Sequence, residues 1–376
     1  MATLLPVLIF GVILAYVVEQ TTVGDFRKNT QTSVNAFCFL LLVIVLAMPV
    51  GLRKFYNDTG AYITHFNNAD NIVELLKEGN LSLFGNPAFN IFTSLVRTFT
   101  DNYHIYFLIH AFFVQWAFAY TIRRYSKHFA LGIGLYICLG TYVFSFAAMK
   151  QILAMAILML AVPYLLEKKH FKFFILVAVA FLFHTYAAAF AVLPLFTARP
   201  WKMRTFILLA ASIFVISNFE FALGWIIDTS GEIGKDISEY EVFDNAQVNA
   251  FRVAVYGVIP ALSLLFKKSI FKDGEDDRQF NLLIHMSIIS FAVMLLGTVS
   301  GANMFARMAH YFEFGIICGL GWLLERAFGE RSAKAVTTIA AICFFAYFSY
   351  ANMIAADFSD NYGAVTIGEF IRSLIE

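Results

Sequence analysis

Along most of the chain, polar positions come in short bursts between apolar runs of about 17 to 25 residues, the length at which a helix crosses roughly 30 Å of hydrocarbon. Runs of this kind cover residues 3 to 18, 34 to 51, 104 to 122, 129 to 147, 150 to 166, 205 to 226, 250 to 267, 281 to 299, 306 to 324 and 335 to 354. None shows the alternating polar pattern of a barrel strand, and backbone groups in lipid must be bonded within their own segment. Each run therefore predicts a helix. The expected fold class is all-α: a polytopic membrane helix bundle of about ten full spans.

Residues 171 to 198 break the pattern. Their apolar run is interrupted by His184, Thr185 and Tyr186, and it is bounded by Lys168, Lys169 and Lys172 on one side and Arg199, Lys202 and Arg204 on the other. One span would place a basic cluster on each face of the membrane. A helical hairpin or re-entrant pair with His184 near its tip keeps both clusters on one face, and it raises the expected total to between ten and twelve membrane segments. The whole chain, 1 to 376, reads as a single multi-pass domain with two long polar segments. Residues 52 to 103 contain amphipathic stretches suited to the membrane interface. Residues 227 to 249 form an acidic loop.

Composition agrees with the pattern. The chain is 60% apolar and 14% charged, against about 25% charged in a soluble domain. A net charge of +1, with no long Lys/Arg run, gives no footprint for nucleic acid. Cys38, Cys138, Cys318 and Cys343 lie in apolar stretches without metal-ligand or disulfide spacing. Met1 to Val18 lacks the basic start and small-residue cleavage site of a signal peptide and is expected to stay as the first helix.

The hairpin reading brings 18 of the 27 Lys and Arg residues into loops on one face. By the positive-inside rule that face is cytoplasmic. The working site is then expected on the face of the membrane turned away from the cytoplasm. The other nine cations, including Arg53, Lys54, Lys150, Arg252 and Arg307, fall at or near the outer face. Interfacial anchoring explains them poorly, because positive anchors belong on the cytoplasmic side.

Four groups of residues could carry chemistry. Arg53, Lys54, Asn57 and Asp58 crowd the exit of the second span. Lys150 and Gln151 open another span, where a helix N-terminus already favours anions. His184 is an ionisable group at membrane depth. Helical spacing puts Arg307, His310, Tyr311 and Phe314 on one face. Arg53, Lys150, Arg252 and Arg307 together suggest a cationic pocket for a phosphate-bearing ligand. No HExxH, GxSxG or P-loop pattern and no metal set emerges, so no cofactor is expected.

These residues resemble the EpsG/Wzy-like polymerases of bacterial exopolysaccharide and O-antigen. Arg53 to Tyr62 looks like the family's Arg-then-Asp-Thr segment, Asn86-Pro87-Ala88-Phe89-Asn90 like its Glu-Pro-Gly-Phe-Asn element, and Lys150-Gln151 like its Arg-Gln helix start. Phe183-His184 resembles its Phe-His segment, and Arg307 with Tyr311-Phe312 its late Arg-Tyr-Phe segment. Asn86 and Ala88 depart from the acidic residue and the glycine, and Lys150 from the more usual Arg.

The resemblance implies a metal-independent glycosyltransferase that joins oligosaccharide units carried on undecaprenyl diphosphate. It implies Arg53, Lys150, Gln151, Arg252, Arg307, His310 and Tyr311 as diphosphate and substrate partners, and Asp58 or His184 as base, with His65 a weaker candidate. The expected partners are the lipid-linked oligosaccharide and membrane lipids, with a chain-length regulator as a further candidate. Two other readings compete: a flippase for the same lipid-linked sugar, which should show inverted repeats, and a glycan ligase using the same donor.

Overall fold

The computed structural model describes residues 3–22, 33–79, 81–218, 247–271, 277–299, 306–355, 358 and 360–375. Most of the acidic loop, residues 227 to 246, lies outside them. The chain is mainly helical: α1 (Leu4–Gln20), α2 (Ser33–Gly51), β1 (Arg53–Phe55), α3 (Thr59–Asn67), α4 (Ile72–Glu78), α5 (Pro87–Phe99), α6 (Tyr103–Tyr125), α7 (Phe129–Cys138), α8 (Thr141–Ala147), α9 (Met149–Leu166) and α10 (His170–Phe183). A 3-10 segment, Thr185–Phe196, then leads to α11 (Met203–Ser217), α12 (Ala250–Leu265), α13 (Lys267–Ile270) and α14 (Arg278–Leu296). A second 3-10 segment, Arg307–Phe312, precedes α15 (Phe314–Ser349), which is broken into two helices at Gly329 (φ 70°, ψ 161°), then the π-helical turn Tyr350–Ala355, β2 (Gly363–Ala364) and α16 (Ile367–Arg372).

Among the described residues, five helices are long and apolar enough to cross a membrane: Val34–Gly51, Tyr103–Tyr125, Met149–Leu166, Arg278–Leu296 and Arg331–Ala355. Counting the pair α7 and α8, bent by 50°, as one broken span makes six. The expectation of about ten full spans is not confirmed among the described residues, where an apolar run is not always one helix, and the end of the run at 205 to 226 lies outside them. The run at 129 to 147 breaks at Gly140, whose φ of 94° favours glycine. The run at 306 to 324 begins as a 3-10 segment, and α1 and α12 stop at 17 and 16 residues. The interruption at His184 appears as a change from α to 3-10 winding, with the His184 N–H still bonded to the Ala180 carbonyl.

The chain packs as two compact units. The first comprises Met1–Val162, Lys172–Ala188 and Thr337–Glu376, the second Pro163–Phe171 and Ala189–Val336. In the first, α2 packs against α1 and α6, and α1 against α7. In the second, α14 is the centre: it packs on α12, α11 and the 3-10 segment at Arg307, and nearly all of its residues from Phe280 to Ser290 are buried. Gly315, which heads α15, lets that helix press on α14, since a Cβ there would overlap the Leu283 carbonyl and the Ser287 nitrogen. With Gly319 it makes the small-xxx-small spacing by which membrane helices approach closely.

The candidate segment 52 to 103 is built from short pieces. α4 is capped by Asn71, whose side chain accepts from the N–H groups of Val73 and Glu74. α5 starts with Pro87 at its first turn, preceded by Asn86 in the left-handed region at φ 58°. Asparagine tolerates that backbone where a longer side chain is strained, so Asn86 fits the turn into α5.

Candidate functional site

The first unit gathers its chemistry around α3. Where α2 ends, Pro49 and Gly51 give way to the short strand β1, which turns the chain so that Arg53 points inward. Arg53 is fully buried. Its Nε donates to the Thr59 hydroxyl at 3.2 Å, its Nη1 donates to the Val50 carbonyl, and the guanidinium lies over the Phe107 ring at 4.0 Å. Thr59 in turn donates to the Tyr56 carbonyl at 2.6 Å. No carboxylate pairs with Arg53 among the described residues, and its Nη2 has no hydrogen-bond partner there. Burial pulls its pKa down to about 10, so it remains charged at neutral pH.

Asp58 stands exposed at the N-cap of α3 without capping it through its side chain. One turn later comes Tyr62, and one turn further His65, so all three share a helix face. Tyr62 faces the backbone N–H groups of Met149 and Lys150, the first two of α9, and burial together with the Asp58 charge pushes its hydroxyl up to about 12. Tyr62 and His65 both lie against Phe89 of α5, at 5.9 and 5.6 Å between ring centroids. The Lys150 ammonium lies 5.4 Å from the same ring and makes no ion pair among the described residues. Burial and then the Lys150 charge hold His65 below its ordinary pKa, and its Nε2 is buried without a hydrogen-bond partner.

The structure therefore brings together Arg53, Asp58, His65 and Lys150 on α3, β1 and the start of α9, with Gln151 buried one residue on. His184 belongs to the same unit, where its ring meets Tyr186 at 5.3 Å. Among the described residues there is no group of three or more His, Cys, Asp and Glu that could hold a metal ion.

The second unit holds the other predicted residues. Arg252 on α12 donates from Nη2 to His310 Nε2 at 3.0 Å. A guanidinium can only donate, so this imidazole nitrogen accepts and the proton resides on Nδ1. That nitrogen faces Glu313 Oε1 at 2.8 Å, within a wholly buried carboxylate. The Arg252 guanidinium also lies 5.8 Å from the Tyr256 ring. Arg307 is exposed, while Tyr311 is buried. Arg53 and Lys150 thus belong to the first unit, and Arg252, Arg307 and His310 to the second.

Thr59 and Tyr62 lie in the Arg53 to Tyr62 stretch that carries the family resemblance, while Tyr106 and Glu313 stand outside every sequence motif. Glu313 follows His310 by three residues, a helical spacing that points to it. Tyr106 has no such signal, because its role depends on the Thr93 hydroxyl 3.1 Å from its own.

Residues 36–365 match the model of the EpsG family. No curated protein and no solved structure matches the chain.

Proposed function

The chain belongs to the EpsG family, which makes it a membrane protein of polysaccharide synthesis, and on that premise we propose that it is a polymerase of lipid-linked oligosaccharides. Its substrates are repeat units on undecaprenyl diphosphate, and it works at the outer face of the bacterial cytoplasmic membrane. The observation that carries this reading is the wholly buried Arg53, a cation without a carboxylate partner among the described residues. A buried, uncompensated charge costs several kcal/mol, roughly 3–5. A phosphate ligand removes that cost.

In the proposed reaction a hydroxyl oxygen of the incoming unit forms a bond to the anomeric carbon of the growing glycan. The bond from that carbon to the diphosphate oxygen breaks, and undecaprenyl diphosphate leaves with the electron pair. Arg53 and Lys150 hold the departing diphosphate, and the N–H groups at the start of α9 add donors. Arg252 and Arg307 form the second cationic set. The proton of the attacking hydroxyl passes to Asp58, whose carboxylate is exposed at the head of α3, and the neutral His65 beside Lys150 is the second proton acceptor within the same set.

The test is a purified-protein assay with a synthetic undecaprenyl-diphosphate repeat unit, without metal or nucleotide sugar. A ladder of lengthened glycan that Asp58→Asn abolishes supports the reading. Transfer of one finished glycan to a different acceptor points to a ligase, and lipid translocation without any new glycosidic bond points to a flippase.

A further inference from the structure

The end of the chain returns to the strand that carries Arg53, from about 310 residues further along the sequence. Phe358 and Tyr362 stack at 4.9 Å, and they enclose Tyr56 and Phe146 between them and the helices. The Tyr362 hydroxyl donates to the Pro49 carbonyl at 2.8 Å, and so satisfies an acceptor in the last turn of α2. β2 pairs antiparallel with β1, Arg53 opposite Ala364 and Phe55 opposite Gly363, and the Val365 N–H continues the ladder to the Leu52 carbonyl at 2.9 Å. Gly363 lies flat on the Phe55 ring, where any Cβ would overlap it.

Next comes α16, started by a capping box between Thr366 and Glu369. It is fastened twice: Lys54 stands 3.6 Å from Glu369, and Asn102 Nδ2 donates to the Ser373 hydroxyl at 2.9 Å. Asn102 is also the N-cap of α6, a spanning helix. α16 is therefore held at the level where a spanning helix begins. Ile367 and Ile371 on α16, and Leu374 and Ile375 in the turn that follows it, are exposed by 61, 50, 50 and 81%. The Leu374 and Ile375 N–H groups bond to the Ile371 and Arg372 carbonyls at 3.2 and 3.0 Å, so helical winding continues past Arg372 and aligns the four side chains as one apolar stripe. Phe99, three residues before Asn102 and at the end of α5, is 81% exposed as well.

We propose that residues 358 and 360–375 form a membrane-seated strap: α16 and the turn after it dock their apolar stripe into the phospholipid interface, and β2 and Tyr362 hold the β1 segment that carries Arg53. The occupant of the stripe is lipid because the stripe is fastened to Asn102, the residue that caps the start of a spanning helix, and an exposed apolar stripe at that level lies where the membrane interface begins. The strap rests on the membrane reading of the chain and needs no assumption about the polymerase chemistry.

The full chain in phospholipid nanodiscs tests it without an activity assay. Ile371→Trp is compared with the wild-type protein, which has four tryptophans, in discs of ordinary and of brominated phosphatidylcholine. The added indole is expected to be quenched by the brominated lipid. Hydrogen exchange is then followed in peptides covering residues 52–55 and 363–365. In the double variant Ile371→Glu/Ile375→Glu, exchange at both segments is expected to rise about tenfold or more, as a local opening. Gly363→Val, which disturbs the strand and leaves the stripe, is expected to raise the same exchange in the Ile371→Trp background with quenching retained. An unquenched indole overturns the lipid contact. Quenching with unchanged exchange in both variants overturns the strap.

Discussion

Replacing Arg53 by Met removes a charge and keeps most of the volume, and it separates a ligand-binding arginine from a structural one. Two effects oppose each other. The substitution loses two charge-assisted hydrogen bonds, to Thr59 and to the Val50 carbonyl, worth about 1.5–3 kcal/mol each. It also removes a buried cation that has no carboxylate partner among the described residues, a cost of roughly 3–5 kcal/mol. Thr59 keeps its bond to the Tyr56 carbonyl, so the substitution leaves that hydroxyl satisfied. The sum is close to zero, and the ligand-free variant is expected to unfold within about 2 kcal/mol of the wild type. The ligand response should differ sharply. An undecaprenyl diphosphate at a hundred times its dissociation constant stabilises the wild type by about 2.7 kcal/mol, and the variant should show little of that shift. Unfolding in detergent, with and without the lipid diphosphate, measures both quantities. A variant destabilised by 3 kcal/mol or more that keeps the full ligand-induced shift would refute the reasoning, since Arg53 would then be a structural brace.

Further predictions concern the neighbouring groups. Arg53→Lys keeps the charge and loses the planar fork, so activity should fall and KM should rise, as measured in the glycan-ladder assay. Thr93→Val leaves the buried Tyr106 hydroxyl without its Thr93 partner and should lower stability by about 1–3 kcal/mol in chemical unfolding. Gly315→Leu forces a side chain into the α14 backbone and should destabilise by about 1–3 kcal/mol or more, seen as a lower midpoint. For His65 the folded state favours the neutral ring, so the unfolded chain binds more protons. The corresponding stability is present above the usual imidazole value near 6.5 and is lost as the pH falls from there through the lowered folded value. His65→Asn should flatten the stability-versus-pH curve in that window.

The helical membrane character was legible because it depends on run length, and the breaks at His184 and around Gly140 fall inside runs that the sequence already marked or contained. The count of spans was less legible. Whether an apolar run becomes one helix, a bent pair or a 3-10 segment depends on local backbone preferences such as that of Gly140, which hydropathy does not record. Arg53 and Lys150 were legible as cations at the wrong end of their spans, and Asp58 as their acidic neighbour. The association of Arg252 with His310 and Glu313 was not, because 58 residues separate Arg252 from His310 and only packing brings them together. Least legible was the pairing of β1 with β2. Strands of three and two residues carry no periodicity, and the close fit of Gly363 on the Phe55 ring appears only in the folded chain.

The most direct test of the central claim is the glycan-ladder assay with purified protein and a synthetic undecaprenyl-diphosphate repeat unit, comparing wild type with Arg53→Met. The account predicts a ladder from the wild type and none from a folded Arg53→Met variant that no longer responds to the lipid diphosphate. A wild-type ladder that persists at full strength in Arg53→Met would contradict it.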